Sequence, residues 1–308
     1  MYDLIIIGSG VAGMTAGIYA SRREMKTLII GKQLGGQLIW ASEIENYPGF
    51  ETINSFDLIN RIKEQTVKLG VEFKDDEVQE IKKTPEETFI LYTAKENFEA
   101  KTVIIAMGLS PRRLAVQGEV EFSGKGVSYC ANCDGPFYRD KTIAVVGGGN
   151  SALDAAEMLS KIAKQVYLVH RNESFKAFDV LVDEVTKRPN IKILYKTELK
   201  EISGNQKVEK IKIFNKEENK DSEIILDAVF IEAGRIAATD LVADFVERSG
   251  RNQIIVNSMM ETRTPGLFAA GDVVDSEFKQ ISIATGLATI AALSAYQYLQ
   301  LKTENIKK

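Results

Sequence analysis

The stretch Asp3-Leu4-Ile5-Ile6-Ile7-Gly8-Ser9-Gly10-Val11-Ala12-Gly13 reads as a strand, a turn and the start of a helix. Leu4 to Ile7 is an unbroken apolar run, the mark of a parallel strand covered on both faces. The glycines that follow are spaced GxGxxG. Such a turn lets the backbone approach a pyrophosphate lying on the N-terminus of the next helix, here read from Met14 to Ser21. The pattern recurs: Thr142-Ile143-Ala144-Val145-Val146 is a second buried strand, followed by Gly147-Gly148-Gly149-Asn150-Ser151-Ala152 and a helix from Leu153 to Lys161. This is the GxGxxA form, with alanine at the close-packing position. One glycine-rich turn is a weak signal, since it need hold no ligand. Two copies, each between a strand and a helix, predict an α/β protein with two dinucleotide-binding domains; the alternative is one cofactor and one decayed duplicate.

Composition agrees with two domains. At 308 residues the chain exceeds what one core usually serves. Apolar residues make up 44% and charged residues 27%, an ordinary globular balance. The net charge is 39 − 43 = −4 with the signs interspersed, and no basic tract alternates with aromatics, so no nucleic-acid partner is expected. Met1-Tyr2-Asp3 leads straight into the first strand without a basic n-region, so no signal peptide is expected. Ile281 to Leu301 is rich in Ala, Leu and Ile, but Ser282, Thr285, Ser294, Gln297 and Gln300 interrupt it. It predicts a buried or half-buried helix rather than a membrane span. The expected location is the cytoplasm.

Both cysteines fall just before the second fingerprint, in Val127-Ser128-Tyr129-Cys130-Ala131-Asn132-Cys133-Asp134-Gly135-Pro136. In a reducing compartment a CxxC is more often catalytic or metal-binding than a structural clamp. A structural zinc needs four ligands; the chain offers two cysteines and one distant histidine, His170, so no metal is expected. A redox dithiol needs one thiol of lowered pKa and an acid to move protons, and Asp134 is the candidate. Two nucleotide sites with one dithiol define a relay. Hydride passes from a nicotinamide to a flavin, the flavin opens the Cys130–Cys133 disulfide, and thiol–disulfide exchange carries the electrons on.

The strand Gln165–Val169 ends in His170-Arg171-Asn172-Glu173-Ser174-Phe175-Lys176. An NAD site would place an acid there; His170, Arg171 and Lys176 instead suit a 2′-phosphate and predict NADPH, against a merely solvated basic patch. In the first domain the strand Thr27–Ile30 likewise ends without an acid, in Gly31-Lys32-Gln33, before the flexible Gly35-Gly36-Gln37-Leu38. From Ser42 to Phe50 a turn is marked by Asn46-Tyr47-Pro48-Gly49-Phe50. An amphipathic helix is predicted over Ser55–Leu69 with Phe56, Leu58, Ile59, Ile62 and Val67 as its apolar positions. Strands are predicted over Glu87–Tyr92 and Lys101–Ala106. The middle domain reads as mostly strands, Ile191–Tyr195, Val208–Phe214, Ile224–Leu226 and Ala228–Glu232, with Asn215 to Asp221 a hairpin tip. A later strand ends in Ala270-Gly271-Asp272, a placement that can aim a carboxylate at flavin hydroxyls. Phe278-Lys279-Gln280-Ile281 leads into the last helix, whose dipole can face a flavin's electron-rich end.

Taken together, Gly8–Gly13, Gly35–Leu38, Glu45–Gly49, Cys130–Gly135, Gly147–Ala152, His170-Arg171 and Gly266–Asp272 resemble low-molecular-weight thioredoxin reductases over nearly the whole chain. In the glutathione-reductase branch the redox cysteines follow the first fingerprint, whereas here Gly36 to Ser42 contains none. The resemblance implies an FAD domain made of residues 1–113 and 242–308, with an NADPH domain, 114–241, inserted and carrying the CxxC. Both are then three-layer ββα Rossmann-like domains. It implies FAD contacts at Gly8, Ser9, Gly10, Ala12, Gly13, Lys32, Gln33, Gly35, Gly36, Gln37, Leu38, Asn46, Gly108, Gly271, Asp272, Lys279, Gln280 and Ile281. NADPH contacts are implied at Gly147, Gly149, Asn150, Ser151, Ala152, His170, Arg171 and Lys176. By the same resemblance Cys133 faces the flavin, Cys130 attacks a thioredoxin or glutaredoxin-like partner, and Asp134 is the acid. A homodimer whose NADPH domain rotates to gate the cycle is also implied.

There are departures. Asn172 replaces the second basic residue of the family's NADPH motif, Lys176 its later arginine, and Gly234-Arg235-Ile236-Ala237-Ala238-Thr239 lacks the usual Pro-Asn. Asn150 and Phe278–Gly286 also resemble the NADH-using flavoprotein of alkyl hydroperoxide reductase. The sequence lacks that protein's N-terminal thioredoxin-like extension, so a separate partner is expected. NADH or reduced ferredoxin as donor, and an FAD-dependent dithiol oxidase, remain alternatives.

Overall fold

The computed structural model describes residues 1–40 and 43–306. Ser42, where the sequence reading began its turn, lies outside the described residues. The chain opens with β1 (Tyr2–Ile7), α1 (Val11–Ser21), β2 (Thr27–Ile30), α2 (Ser55–Lys68), β3 (Glu72–Lys74), β4 (Val78–Lys83), β5 (Phe89–Thr93) and β6 (Asn97–Ile105). Then come β7 (Val127–Ser128), α3 (Ala131–Asp134), β8 (Thr142–Gly147), α4 (Asn150–Ser160), β9 (Gln165–Val169) and α5 (Asp179–Lys187). They are followed by β10 (Ile191–Leu194), β11 (Thr197–Gly204), β12 (Val208–Asn215), β13 (Lys220–Ile225), β14 (Ala228–Glu232), β15 (Leu267–Ala269) and α6 (Ile281–Ile306). Two compact units result: Met1–Ser110 with Ile236–Lys308, and Pro111–Arg235 between them in sequence.

In the first unit the parallel strands run β3-β2-β1-β6-β15. Successive side chains on a strand point to opposite faces. Leu4, Ile6, Ile29, Ile104 and Phe268 meet Ala12, Ala16 and Ala20 of α1 and Ala284, Ala288 and Ala291 of α6. Ile5, Ile7, Leu28, Ile30 and Ile105 meet Val78, Ile81, Phe89 and Leu91 of the antiparallel β4-β5-β6 meander. Both faces are covered, which is why β1 reads as a continuous apolar run. Each such aliphatic side chain contributes roughly 1.5–3 kcal/mol when fully buried. The helix α1 sits so close that a Cβ on Gly13 would stand 1.8 Å from the carbonyl oxygen of Gly8.

The second unit repeats the plan. Its parallel sheet runs β7-β14-β8-β9-β10. Ile143, Val145, Val166, Leu168 and Phe230 pack on Leu153, Ala156 and Leu159 of α4. Ala144, Val146, Val169, Val229 and Ile231 pack on Leu199, Ile202, Val208, Ile211 and Ile213 of the antiparallel β11-β12-β13 sheet. Both units are therefore Rossmann-like, with helices on one face of a parallel sheet and an antiparallel layer on the other.

Three expectations need correction. On α2, Phe56 and Val67 are exposed, 53% and 49%, while Leu58, Ile59 and Thr66 are buried; at 100° per residue the two outliers fall off the buried stripe. The middle region is mostly strand as expected, but it also holds one helix, α5, that the strand reading passes over; Val185 of α5 is fully buried, with Leu181 and Val182 packed partly against the same core. Lys220 and Asp221, read as hairpin tip, belong to β13 and pair with Asn215 and Phe214. Among the described residues no helix is long and apolar enough to cross a membrane, and no group of His, Cys, Asp or Glu is placed to hold a metal ion.

Candidate functional site

The dithiol lies where β7 gives way to α3. A CxxC on one helical turn brings its ends within disulfide range. Cys130 and Cys133 are bonded to each other, with Cα atoms 5.3 Å apart. Cys130 is the N-cap of α3, and its Sγ accepts a 3.1 Å hydrogen bond from the amide of Cys133. An amide aimed at that sulfur favours its thiolate once the bond is opened. Ser128 pins the backbone beside it: the Cys130 amide donates to Ser128 Oγ at 3.0 Å, and that hydroxyl donates to the Cys130 carbonyl at 3.2 Å. Cys130 is buried and Cys133 half-buried.

Sequence reasoning missed two supports of this turn. Glu119 has no exposed surface, and its carboxylate accepts from the amide of Leu114 at 3.0 Å and from Tyr129 Oη at 2.8 Å. Burial, then this bond to Glu119, pushes the Tyr129 phenol up to about 12. Tyr138, just past Asp134, is held above its ordinary range by burial and by the Asp134 and Asp227 carboxylates. Glu119 carries no sequence signal, because its partners are fixed only by the loop that folds over it.

The second fingerprint joins β8 to α4. Helix α4 is capped by the backbone of Gly149 alone, with no acid in its first turn, so its N-terminus suits an anion. Asn150 Oδ1 accepts from the amide of Phe178 at 2.8 Å, and the amide of Lys176 donates to the Gly148 carbonyl at 2.8 Å. The segment after β9 is thereby laid along the glycine turn. His170 is 5% exposed. Its Nε2 lies 2.9 Å from the Ser174 carbonyl, which can only accept, so Nε2 carries the proton. The imidazole fills the space over Gly148, where a Cβ would lie 2.0 Å from Nδ1. Arg171 and Lys176 are exposed. The three residues do not form one cluster: Arg171 and Lys176 face solvent, while His170 is a packed interior ring.

The first fingerprint makes a cradle of bare backbone. Gly8 has φ of 116°, and a Cβ there would meet the Ala106 carbonyl oxygen at 2.3 Å. Gly10 pairs with Gly35, and a Cβ on Gly36 would come within 3.1 Å of the Gly10 Cα. Ser9 reaches Gln33 through its hydroxyl, 3.0 Å from that carbonyl. Gly271 abuts Ala12, where an added Cβ would stand 2.8 Å from the alanine methyl. Gln37 Nε2 donates to Asp272 Oδ2 at 2.7 Å, beside Gly108, whose added Cβ would be 3.4 Å from the same amide. Asn46 donates to Gln280 at 3.2 Å. Lys279 Nζ donates to the Val274 carbonyl at 2.6 Å and to Ser276 Oγ at 3.1 Å, and burial lowers its pKa. Leu38 is core and Ile281 begins α6. Lys32 stands apart, paired with Glu77 in solvent. The N-terminus of α1 has no side-chain cap and no acid. Side-chain-free backbone at an uncapped helix start fits the pyrophosphate of a dinucleotide such as FAD.

Two dinucleotide-type folds and a disulfide on one turn define a class of nucleotide-linked disulfide oxidoreductase. The chain belongs to the family described as pyridine nucleotide-disulphide oxidoreductase, whose model matches residues 2–288. It is 37% identical over 309 residues to the thioredoxin reductase of Bacillus subtilis (strain 168), covering 100% of this chain and 98% of that one. It is 36% identical over 300 residues to the thioredoxin reductase of Treponema pallidum (strain Nichols), covering 97% of each. Among solved structures, Lactococcus lactis thioredoxin reductase in its FR conformation superposes with a TM-score of 0.89 at 36% identity, covering 97% of this chain and 99% of that one.

Proposed function

We propose that this protein is a thioredoxin-disulfide reductase in which NADPH is the donor, FAD the intermediate carrier and the Cys130/Cys133 dithiol the outlet. The observation that carries this reading is the Cys130–Cys133 disulfide on a single helical turn in the unit that also holds the second fingerprint. The first unit is the FAD domain: Gly8 to Gly13, Gly35 to Leu38 and Gly271-Asp272 hold the dinucleotide, with Gln37, Asn46, Lys279 and Gln280 around it. The second is the NADPH domain, with Gly147 to Ala152 under the pyrophosphate and Arg171 and Lys176 as the exposed cations for a 2′-phosphate. Bound FAD supplies two-electron chemistry between a nicotinamide and a disulfide.

The remaining chemistry belongs to the chain. Two electrons and two protons open the Cys130–Cys133 bond. Cys130, its sulfur met by the Cys133 amide, attacks the partner disulfide as thiolate and releases one partner thiolate. Cys133 then attacks Cys130 Sγ, releasing the second partner thiolate and restoring the disulfide. Asp134 moves the protons, with Tyr138 beside it. The partner is thioredoxin or a similar small CxxC protein, and the assembly is a cytoplasmic homodimer.

Anaerobic titration tests the donor: NADPH bleaches the enzyme's flavin faster than equal NADH. Bleaching by NADH alone would replace NADPH in this scheme, and no bleaching by either would favour ferredoxin or oxidase chemistry. Cys130→Ser keeps flavin reduction and abolishes reduction of thioredoxin; full activity in that variant refutes the relay.

A further inference from the structure

Glu232 ends β14, directly opposite Gly147 in the parallel register with β8. The contact is close, since a Cβ on Gly147 would lie 2.3 Å from the Glu232 carbonyl oxygen. The sheet order β7-β14-β8-β9-β10 makes this gap the switch point: from β8 the chain builds outward through β9 and β10, then returns to β14 on the other side. In open parallel sheets the crevice beyond the strand ends at such a point is where a nucleotide lies. A half-buried carboxyl thus stands at the mouth of the crevice, with Asp154 and Arg235 as its charged neighbours.

We propose that Glu232 is a binding residue for the pyridine dinucleotide, which it accepts as the neutral carboxylic acid, so that nucleotide binding takes up a proton. The inference rests on the dinucleotide reading of the second unit.

The electrostatics support it. Burial raises the Glu232 carboxyl to about 7, with Asp154 of α4 adding to the rise and Arg235 opposing it. Asp154 has its own surroundings of Glu157 and Lys161 on α4 and Glu184 on α5. The other neighbours contribute no charge: β8 and β7 carry no acid or base, and β12 meets β14 through Val208, Ile211 and Ile213. A dinucleotide brings at least two further negative charges and displaces water. Both raise the carboxyl's pKa again, so the complex holds the proton. Ionisation of the free enzyme then competes with binding, and affinity falls as pH rises through the free-state value.

The test is calorimetric titration of the flavin-loaded enzyme with NAD⁺ and with NADP⁺ from pH 6 to pH 8, in buffers of different ionisation enthalpy. NAD⁺ is the cleaner probe, because a 2′-phosphate itself titrates near pH 6. The wild type is expected to bind about tenfold more weakly at pH 8 than at pH 6, with proton uptake near pH 7. Glu232→Gln, checked for unchanged flavin content, binds at every pH as the wild type does at pH 6 and takes up no proton. Asp154→Asn shifts the wild-type midpoint to lower pH. A wild-type affinity independent of pH, or a Glu232→Gln profile like the wild type, overturns the inference while leaving the donor reading intact. No binding of either nucleotide at any pH overturns both.

Discussion

Tyr129 Oη donates a 2.8 Å hydrogen bond to Glu119, a carboxylate with no exposed surface, and Tyr129 immediately precedes Cys130. The pair ties the redox turn to the loop after Pro111, because Glu119 also accepts from the Leu114 amide. The cysteine is thus held from behind by a buried polar contact as well as by Ser128.

Tyr129→Phe removes one donor and leaves the Glu119 oxygen short of a partner. That oxygen keeps the Leu114 amide, so the loss is that of one hydrogen bond, about 0.5–1.5 kcal/mol. Urea unfolding is expected to show that loss, and Glu119→Gln a similar one. An unchanged midpoint in both variants would mean water replaces the bond without cost.

Gly148→Ala would drive a methyl into the His170 ring, 2.0 Å from Nδ1. The ring must leave its contacts with Phe175, 5.0 Å between centroids, and with the Ser174 carbonyl. Overpacking of this kind costs about 1–3 kcal/mol. Gly149→Ala is the control, since its nearest neighbour is the Lys176 carbonyl oxygen at 3.7 Å. Thermal melting is expected to separate the two; equal midpoints would refute the role given to His170.

Gln37→Leu deletes the 2.7 Å bond to Asp272, a charge-assisted contact between a glycine loop and the end of the strand that follows in the same unit. Such bonds are worth about 1.5–3 kcal/mol. Flavin is expected to dissociate at least about tenfold more readily, read as flavin per chain after gel filtration. Full retention of flavin in this variant would place the contact outside the cofactor's support.

Glu232 also links stability to pH in the absence of nucleotide. Its carboxyl stands at about 7 in the folded state against an ordinary 4.5. A raised carboxyl is neutral in both states below the ordinary value, so it imposes no cost there. As pH rises from 4.5 the unfolded chain ionises first, and stability falls until the folded carboxyl also ionises near pH 7; above that the loss is constant. Glu232→Gln is therefore expected to be more stable than wild type at pH 8, by about 3 kcal/mol at most, with the gap closing towards pH 4.5. Denaturant unfolding at three pH values checks this, and a gap that widens in acid would reverse the assignment.

Much of the framework was legible because it is local. Leu4 to Ile7 and Ile143 to Val146 are buried on both faces, so they read as apolar runs, and the glycines between strand and helix are forced by contacts such as that of Gly13 with Gly8. The antiparallel strands β4 and β11 were harder, since their outward positions carry Gln79, Glu80, Lys200 and Glu201 and blur the pattern. Helix α5 was harder for another reason: Val180, Leu181, Val182 and Val185 give it apolar positions, but nine residues make too few turns for the helical period to stand out.

The sequence alone determined the two nucleotide folds, the redox pair and its acid neighbour, because period, spacing and adjacency are properties of a chain. Tertiary structure decided what each side chain meets. It buried His170 over Gly148 and left Arg171 and Lys176 in solvent, although all three sit in one short segment. It brought Glu119 under Tyr129 and set Glu232 beside Gly147 across a parallel pair of strands. Burial and hydrogen bonding depend on which distant residues the fold brings together, and no spacing within the chain records that.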